Sequence, residues 1–403
     1  MSRAIRARKF HVKRRCSVSL RFGVQLFPYH KPWVDPSTQF ADDLLLIEHL
    51  DRLGYDEVFI GEHHSTGWQN IGSPELLIAA AAGRTNQITF GTGVNSLPYH
   101  HPFILADRIV QLTHLVKGRF IWGVGAGSLA QDAHIIGIDP LEQRRMTDEA
   151  LEAIMALLEY DGPVTRKTDW FEINDAQLHL RPYNGTIDIR VAAQMSPSGP
   201  RLAGKYGVGI FQFGVMGATE GNPIAETWAI AEESAVRYGK TVDRNRWSAL
   251  HMMHIAETEK EARAQVRWGL QDWVRYMANI LPLAATDPDD FDGLIDEMNK
   301  TIFVIGTPEM ARERIETIQE KSGGLGSIII GNTEIANPQH TRDSFELLAR
   351  EVFPHFTGQV KARTDAVASM KQFGKSGERL LAAHDKARAE YAAEKAADAA
   401  AKS

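Results

Sequence analysis

Glu62, His63 and His64 stand together where a short apolar run, Val58-Phe59-Ile60, stops. An acid beside two imidazoles can hold, take or give a proton near neutral pH. Neighbouring residues on an extended chain face opposite ways, so these histidines do not readily chelate one metal, and no metal site is expected. His63 reads as a proton-transfer or hydrogen-bonding group beside a substrate. A purely structural hydrogen bond is the alternative, and it is the stronger alternative for His64. A second pair, His100-His101, precedes Pro102, where His101 reads equally well as fixing a turn into a helix. Ser196-Pro197-Ser198-Gly199 sets two hydroxyls at a helix start. Free N–H groups there suit a phosphate, with plain capping by Ser198 as the alternative. Gly123, Gly125 and Gly127 miss the dinucleotide fingerprint, because its third glycine would fall at Ser128. Positions without side chains instead let a flat ring approach the backbone. Phe27, Trp33, Trp68 and Tyr99 lie in or beside neighbouring loop segments and read as walls of an apolar substrate pocket, though each taken singly reads equally well as packing.

Most of these groups sit at or just beyond the end of an apolar stretch, and that is what must position them. Strands are expected near 22–27, 57–60, 88–91, 120–124, 187–193, 209–213, 247–256 and 327–330. Helical spacing or proline starts mark 37–53, the segment after Ser73-Pro74, 102–116, 142–159, 199–206, 224–238, 259–277, the segment after Thr307-Pro308, and 341–352. Eight strand–helix pairs in sequence predict an α/β fold, a parallel (β/α)8 TIM barrel over 21–356, with an open doubly wound sheet as the alternative. Two insertions interrupt the rhythm: a small hairpin near 163–182, and an Asp- and Pro-rich stretch near 280–300 that reads as a mobile lid. Residues 1–20 form a basic extension, and 357–403 a polar composition of Ala, Lys, Glu and Asp that reads as a helical tail.

The chain has 403 residues, 43% apolar and 24% charged, with a formal charge of −6. That balance speaks against nucleic acid as the main partner, which needs a basic face. The single cysteine, Cys16, excludes an internal disulfide and a cysteine zinc site. No apolar run is long enough for a membrane helix. Arg14-Arg15 is not followed by the apolar stretch of an export signal, so a cytoplasmic protein is expected.

Taken together, Gly61-Glu62-His63-His64, the run Gly91 to Pro102, the run Lys117 to Gly127 and Phe303 to Pro308 resemble the bacterial luciferase-like flavin monooxygenases, from about Arg21 to Phe356. Within that family, Trp68-Gln69-Asn70-Ile71 and Pro74 to Ile78 are similar to the branch of limonene and diketocamphane monooxygenases.

The resemblance implies a barrel holding reduced FMN at its carboxyl mouth. By position, His63 would assist proton transfer near the flavin. Gly93-Val94 would form a cis peptide beneath the ring, with Asn95 facing it. Phe27, Gly125, Ala126, Gly127 and Gln194 would line the cofactor site, and Ser196, Ser198 and Gly199 would grip the phosphate. Trp33, Trp68 and Tyr99 would face substrate. Gly125 and Ala126 depart from the light-emitting enzymes, which carry a reactive cysteine and a phosphate-binding arginine at those places. The implied reaction is a two-component monooxygenation through a flavin C4a-peroxide on a small terpenoid, ketone, aldehyde or alkene, with FMNH2 supplied by a separate NAD(P)H:flavin reductase. A deazaflavin (F420)-dependent oxidoreductase and a non-catalytic flavin-binding protein are the rival readings. A homodimer is expected.

Overall fold

Eight strands carry the molecule: Arg21–Leu26 (β1), Glu57–Ile60 (β2), Thr89–Thr92 (β3), Phe120–Gly125 (β4), Asp188–Ala193 (β5), Gly209–Phe213 (β6), Trp247–Ile255 (β7) and Ser327–Asn332 (β8). The computed structural model describes residues 20–27, 29–194, 196–214, 222–280, 290–372 and 376–401. Each strand pairs in parallel with the next, and β8 pairs with both β7 and β1, so the sheet closes into a (β/α)8 barrel. Closure removes the open-sheet alternative. The basic extension with Arg14, Arg15 and Cys16 lies outside the described residues, apart from its last residue, Leu20.

Local chemistry explains the alternation. Strands such as β2 are buried along their whole length, as parallel strands covered on both faces must be. Helices Pro36–Leu53, Pro74–Ala82, Pro102–Leu115, Pro223–Arg237, Pro308–Ser322 and Pro338–Leu347 each begin with proline, whose missing N–H costs nothing in a first turn. The first is capped by Asp35, which accepts from the Thr38 N–H at 2.9 Å, two residues earlier than a Ser37 cap. It ends at Gly54, whose φ of 84° suits a residue without a Cβ.

Phe59, Ile121, Phe211, Leu250 and Ile329 come from five different strands yet form one buried cluster, so they fill the barrel interior. Nearer the amino ends of the strands lies an ionic layer. Arg190 meets Glu57 at 3.2 Å and Asp188 at 2.9 Å, and Arg21 meets Glu57 at 2.9 Å. Burial pushes the Glu57 carboxyl up, but Arg190 and Arg21 outweigh it and hold the group below its ordinary value.

The hairpin insertion is present as Val164–Lys167 paired antiparallel with Glu172–Ala176. The second insertion differs from expectation. Its residues 281–289 lie outside the described set, but Phe291–Lys300 is a helix that buries Phe291, Leu294, Ile295 and Met298. Those side chains join Trp273, Val274 and Phe303 in a second core, so this half is packed structure and not a loop excursion. The helix expected over 259–277 breaks into Glu259–Val266 and Leu270–Ala278. At the break, Gly269 packs against Glu334 and Ile335, where an added Cβ would come within 3.3 Å of the Ile335 Cα. Phe303–Gly306 is a further strand, paired with the end of β7 outside the ring.

The chain divides at Phe353–Pro354 into two compact units, slightly earlier than expected. The second unit contains helices Lys361–Gln372 and Ser376–Ala401. Among the described residues no helix is long and apolar enough to cross a membrane.

Candidate active site

The carboxyl ends of the strands surround one cavity of about 560 Å³. Its walls include His63 after β2, Gly93 and Val94 after β3, and Gly125, Ala126 and Gly127 at the end of β4. Gln194, Ser196, Ser198 and Gly199 come from beyond β5, and Phe27 from beyond β1. Eleven residues singled out from the sequence therefore share one space.

His63 is held by a group the sequence did not announce. Its Nδ1 lies 2.9 Å from Oδ2 of Asp132, which is buried on the short helix Ala130–Ile136. The other Asp132 oxygen accepts from the His64 backbone N–H at 3.1 Å and from the Ser65 hydroxyl. Burial alone would raise the Asp132 carboxyl, yet the hydrogen bonds from His63 and Ser65 prevail and keep it below the ordinary carboxylate range. An ionised Asp132 accepts the Nδ1 proton, which leaves Nε2 of neutral His63 as the ring's free lone pair.

Glu62 organises the surroundings. It is 3% exposed. Its carboxylate accepts from His100 Nε2 at 2.7 Å, His64 Nε2 at 3.0 Å, the Ser96 N–H at 3.0 Å and Asn95 Nδ2 at 3.3 Å. Burial raises its pKa, but hydrogen bonds from His100 and His64 overcome this and hold it at about 2. The hydrogen bond to Glu62 raises the pKa of His64, against the opposing effect of burial. His64 and His100 thus face a carboxylate and do not line the cavity. His101 points elsewhere, with Nε2 3.1 Å from the Glu172 carbonyl of the hairpin.

Four expected site residues sit outside the cavity wall. Asn95 is fully buried between Glu62 and Trp122, whose Nε1 donates to Asn95 Oδ1 at 3.1 Å, so its amide braces the wall instead of facing a ring. Tyr99 supports the wall from behind: its hydroxyl accepts from Gln143 Nε2 at 3.0 Å, and a Cβ on Gly127 would come within 2.7 Å of its Cζ. Trp68 stacks on Tyr29 at 5.0 Å, and Trp33, 66% exposed, packs edge-on to Trp68. These two indoles satisfy each other and Tyr29 and leave the cavity surface to other side chains.

The apolar wall is built instead by Phe213, Leu250, Met252, Trp273, Met277, Ile280 and Ile302. Phe213, Leu250 and Met252 come from β6 and β7 and Trp273 and Met277 from helix Leu270–Ala278, while Ile280 falls in the stretch that reads as irregular in sequence. The peptide Gly93–Val94 is cis, and Gln25 Nε2 donates to the Gly93 carbonyl at 3.0 Å. Ser196 Oγ and Ser198 Oγ lie 2.6 Å apart at the start of helix Ser198–Tyr206.

The family profile described as luciferase-like monooxygenase matches residues 20–324. The chain is 46% identical over 377 residues to limonene 1,2-monooxygenase of Rhodococcus erythropolis, covering 93% of this chain and 97% of that protein. It is 41% identical over 353 residues to 4-hydroxyprotoasukamycin monooxygenase of Streptomyces nodosus subsp. asukaensis, covering 86% and 94%. Among solved structures it is similar to the oxygenating constituent of 3,6-diketocamphane monooxygenase from Pseudomonas putida, a type II Baeyer-Villiger monooxygenase in complex with FMN. That match has a TM-score of 0.69 and 27% identity, over 83% of this chain and 98% of that one.

Proposed function

Since the chain belongs to the luciferase-like monooxygenase family, we propose that its barrel-mouth cavity binds FMN and a small apolar substrate, and that the protein places one atom of O2 into that substrate. The observation that carries this reading is the convergence of His63, the small-residue run Gly125 to Gly127 and the Ser196–Ser198 hydroxyls on a single cavity. Flavin fits the residues present. Gly125 and Ala126 keep that wall free of bulk, and a Cβ on Gly125 would strike Val94 Cγ2 at 2.8 Å and displace the lining. Hydroxyls and free amides at a helix start suit the phosphate.

When bound and reduced, the flavin supplies activation of O2. The chain's own residues do the rest. His63 Nε2 takes or returns a proton at the cavity surface, while Asp132 fixes its tautomer through Nδ1. The Ser196 and Ser198 hydroxyls orient the phosphate. Phe213, Met252, Trp273, Met277 and Ile302 hold an apolar substrate and keep water from the reacting centre. A terpenoid, ketone, aldehyde or alkene is the expected substrate class. FMNH2 comes from a separate NAD(P)H:flavin reductase, and the protein works in the cytoplasm as a homodimer.

The test is to supply the full-length protein with FMN, NADH, a flavin reductase and ¹⁸O2, and to offer a panel of terpenes and cyclic ketones. Product carrying one labelled oxygen supports the reading. Oxygen uptake that yields hydrogen peroxide alone across the panel would favour flavin binding without catalysis. Hydride transfer with a deazaflavin and no oxygen uptake would favour the oxidoreductase.

A further inference from the structure

A cation beside the hydroxyls and amides would strengthen the hold on a phosphate, and the expected grip of Ser196, Ser198 and Gly199 supplies none. Ala126, at the end of β4, brings no charge either. Among the described residues lining the cavity, Arg144 is the only lysine or arginine. The two lining histidines are committed. His63 is held by Asp132. His251 meets the guanidinium of Arg314 at 2.7 Å and is kept neutral, its pKa lowered to about 3 by burial and by that arginine.

Arg144 is exposed at the start of helix Gln143–Glu159 and forms no hydrogen bond or ion pair with the described residues. Its neighbour Arg145 is the one that takes the local carboxylates, Glu142, Glu149 and Asp169. The helix places Arg144 well. Gln143 anchors the first turn on the Ala126 carbonyl at 2.7 Å. Asp148, one turn beyond Arg144, bonds Lys205 and Tyr206 of helix Ser198–Tyr206, each at 2.6 Å. Residues four apart share a helix face, so Arg144 lies on the face turned toward that same helix, and it lines one cavity with Ser196, Ser198 and Gly199.

We propose that Arg144 is the cation that reads the FMN phosphate in this chain. The inference rests on the flavin reading above. A guanidinium fork matches phosphate oxygens in pairs, and an arginine without a carboxylate partner breaks no ion pair to do so.

FMN and riboflavin differ only in the phosphate, so their affinities isolate this contact. Both oxidised flavins are titrated into full-length wild type, Arg144→Ala and Arg144→Lys by flavin fluorescence, with thermal unfolding of each variant recorded alongside. The wild type should prefer FMN. Arg144→Ala should weaken FMN by about 10- to 100-fold and riboflavin by no more than about twofold, with Arg144→Lys between. Equal weakening of both flavins would overturn the inference in favour of a structural role. An undiminished FMN preference in Arg144→Ala would overturn it and leave the flavin reading intact. A wild type that binds neither oxidised flavin, nor reduced FMN titrated without oxygen, would bring down both.

Discussion

Replacing Asp132 by asparagine tests the proton chemistry at nearly constant shape. The carboxylate has two unlike sides. Oδ1 serves fixed donors, the His64 N–H and the Ser65 hydroxyl, while Oδ2 faces His63 Nδ1 at 2.9 Å. In Asp132→Asn the fixed donors keep the carbonyl on their side, so the NH2 group turns to His63. Nδ1 must then present its lone pair, and the proton moves to Nε2. The base at the cavity is lost without loss of the imidazole. The missing charge-assisted hydrogen bond is worth about 1.5–3 kcal/mol. A wrong tautomer has cost about 10⁴-fold in well-studied His–Asp pairs. General acid–base catalysis contributes about 10²–10⁴-fold. Coupled product formation should therefore fall by at least about 100-fold, while FMN affinity stays within about threefold. His63→Ala should do the same, and the double variant should be little worse, because the two residues act as a unit. Product and hydrogen peroxide are quantified per FMNH2 consumed, and ¹⁵N NMR reports the His63 tautomer. Normal coupling in Asp132→Asn, or an Nε2–H tautomer already present in the wild type, would refute the reasoning.

Three other outcomes are expected. Gly199→Ala would drive a Cβ into the Ala192 carbonyl, with Ala193 Cα only 3.0 Å away. It should lose about 1–3 kcal/mol in urea unfolding and much of its flavin affinity, and unchanged values for both would count against the close approach. The Glu62 carboxyl titrates at about 2 instead of 4.5. Because the folded value is the lower one, its stabilisation is complete above the unfolded pKa and is lost as pH falls from about 4.5 toward 2, a difference of roughly 3 kcal/mol. Glu62→Gln should flatten that acid limb in denaturation curves, and a limb as steep as the wild type's would show that the dependence lies elsewhere. Arg190→Met leaves the buried Glu57 with Arg21 as its remaining cation and should cost up to about 3–5 kcal/mol, most of it recovered by adding Glu57→Gln, as calorimetry or urea titration can show. If the second change gives no recovery, the ionic layer is not what holds the lower barrel.

The barrel was legible because its strands are short, apolar and evenly punctuated by prolines at helix starts, signals that need no knowledge of distant contacts. His63 and the Ser196–Ser198 pair were legible for the same reason, as polar residues set where an apolar run ends. Asp132 was not, because Ala130–Ile136 spans seven residues, too few to show a helical period. Asn95 was set at the ring by resemblance alone, and a single sequence carries no sign that its amide meets Glu62 and Trp122. The buried helix after 290 carried its own signal: Phe291, Leu294, Ile295 and Met298 follow helical spacing, but the Asp and Pro before them drew attention to a loop. Arg144 had no readable signature, since a charge near a helix start is ordinarily solvated.

Glu62 draws donors from the loop after β2, from the short Asn95–Ser96 strand and from His100. One side of the mouth is therefore wired, so that changing any single donor unsettles the others. The opposite side, Met252, Trp273, Met277 and Ile302, is merely packed, and each residue there can shrink or swell on its own. New substrate preferences would accordingly be easiest to select from that second side, with the proton-handling side inherited intact.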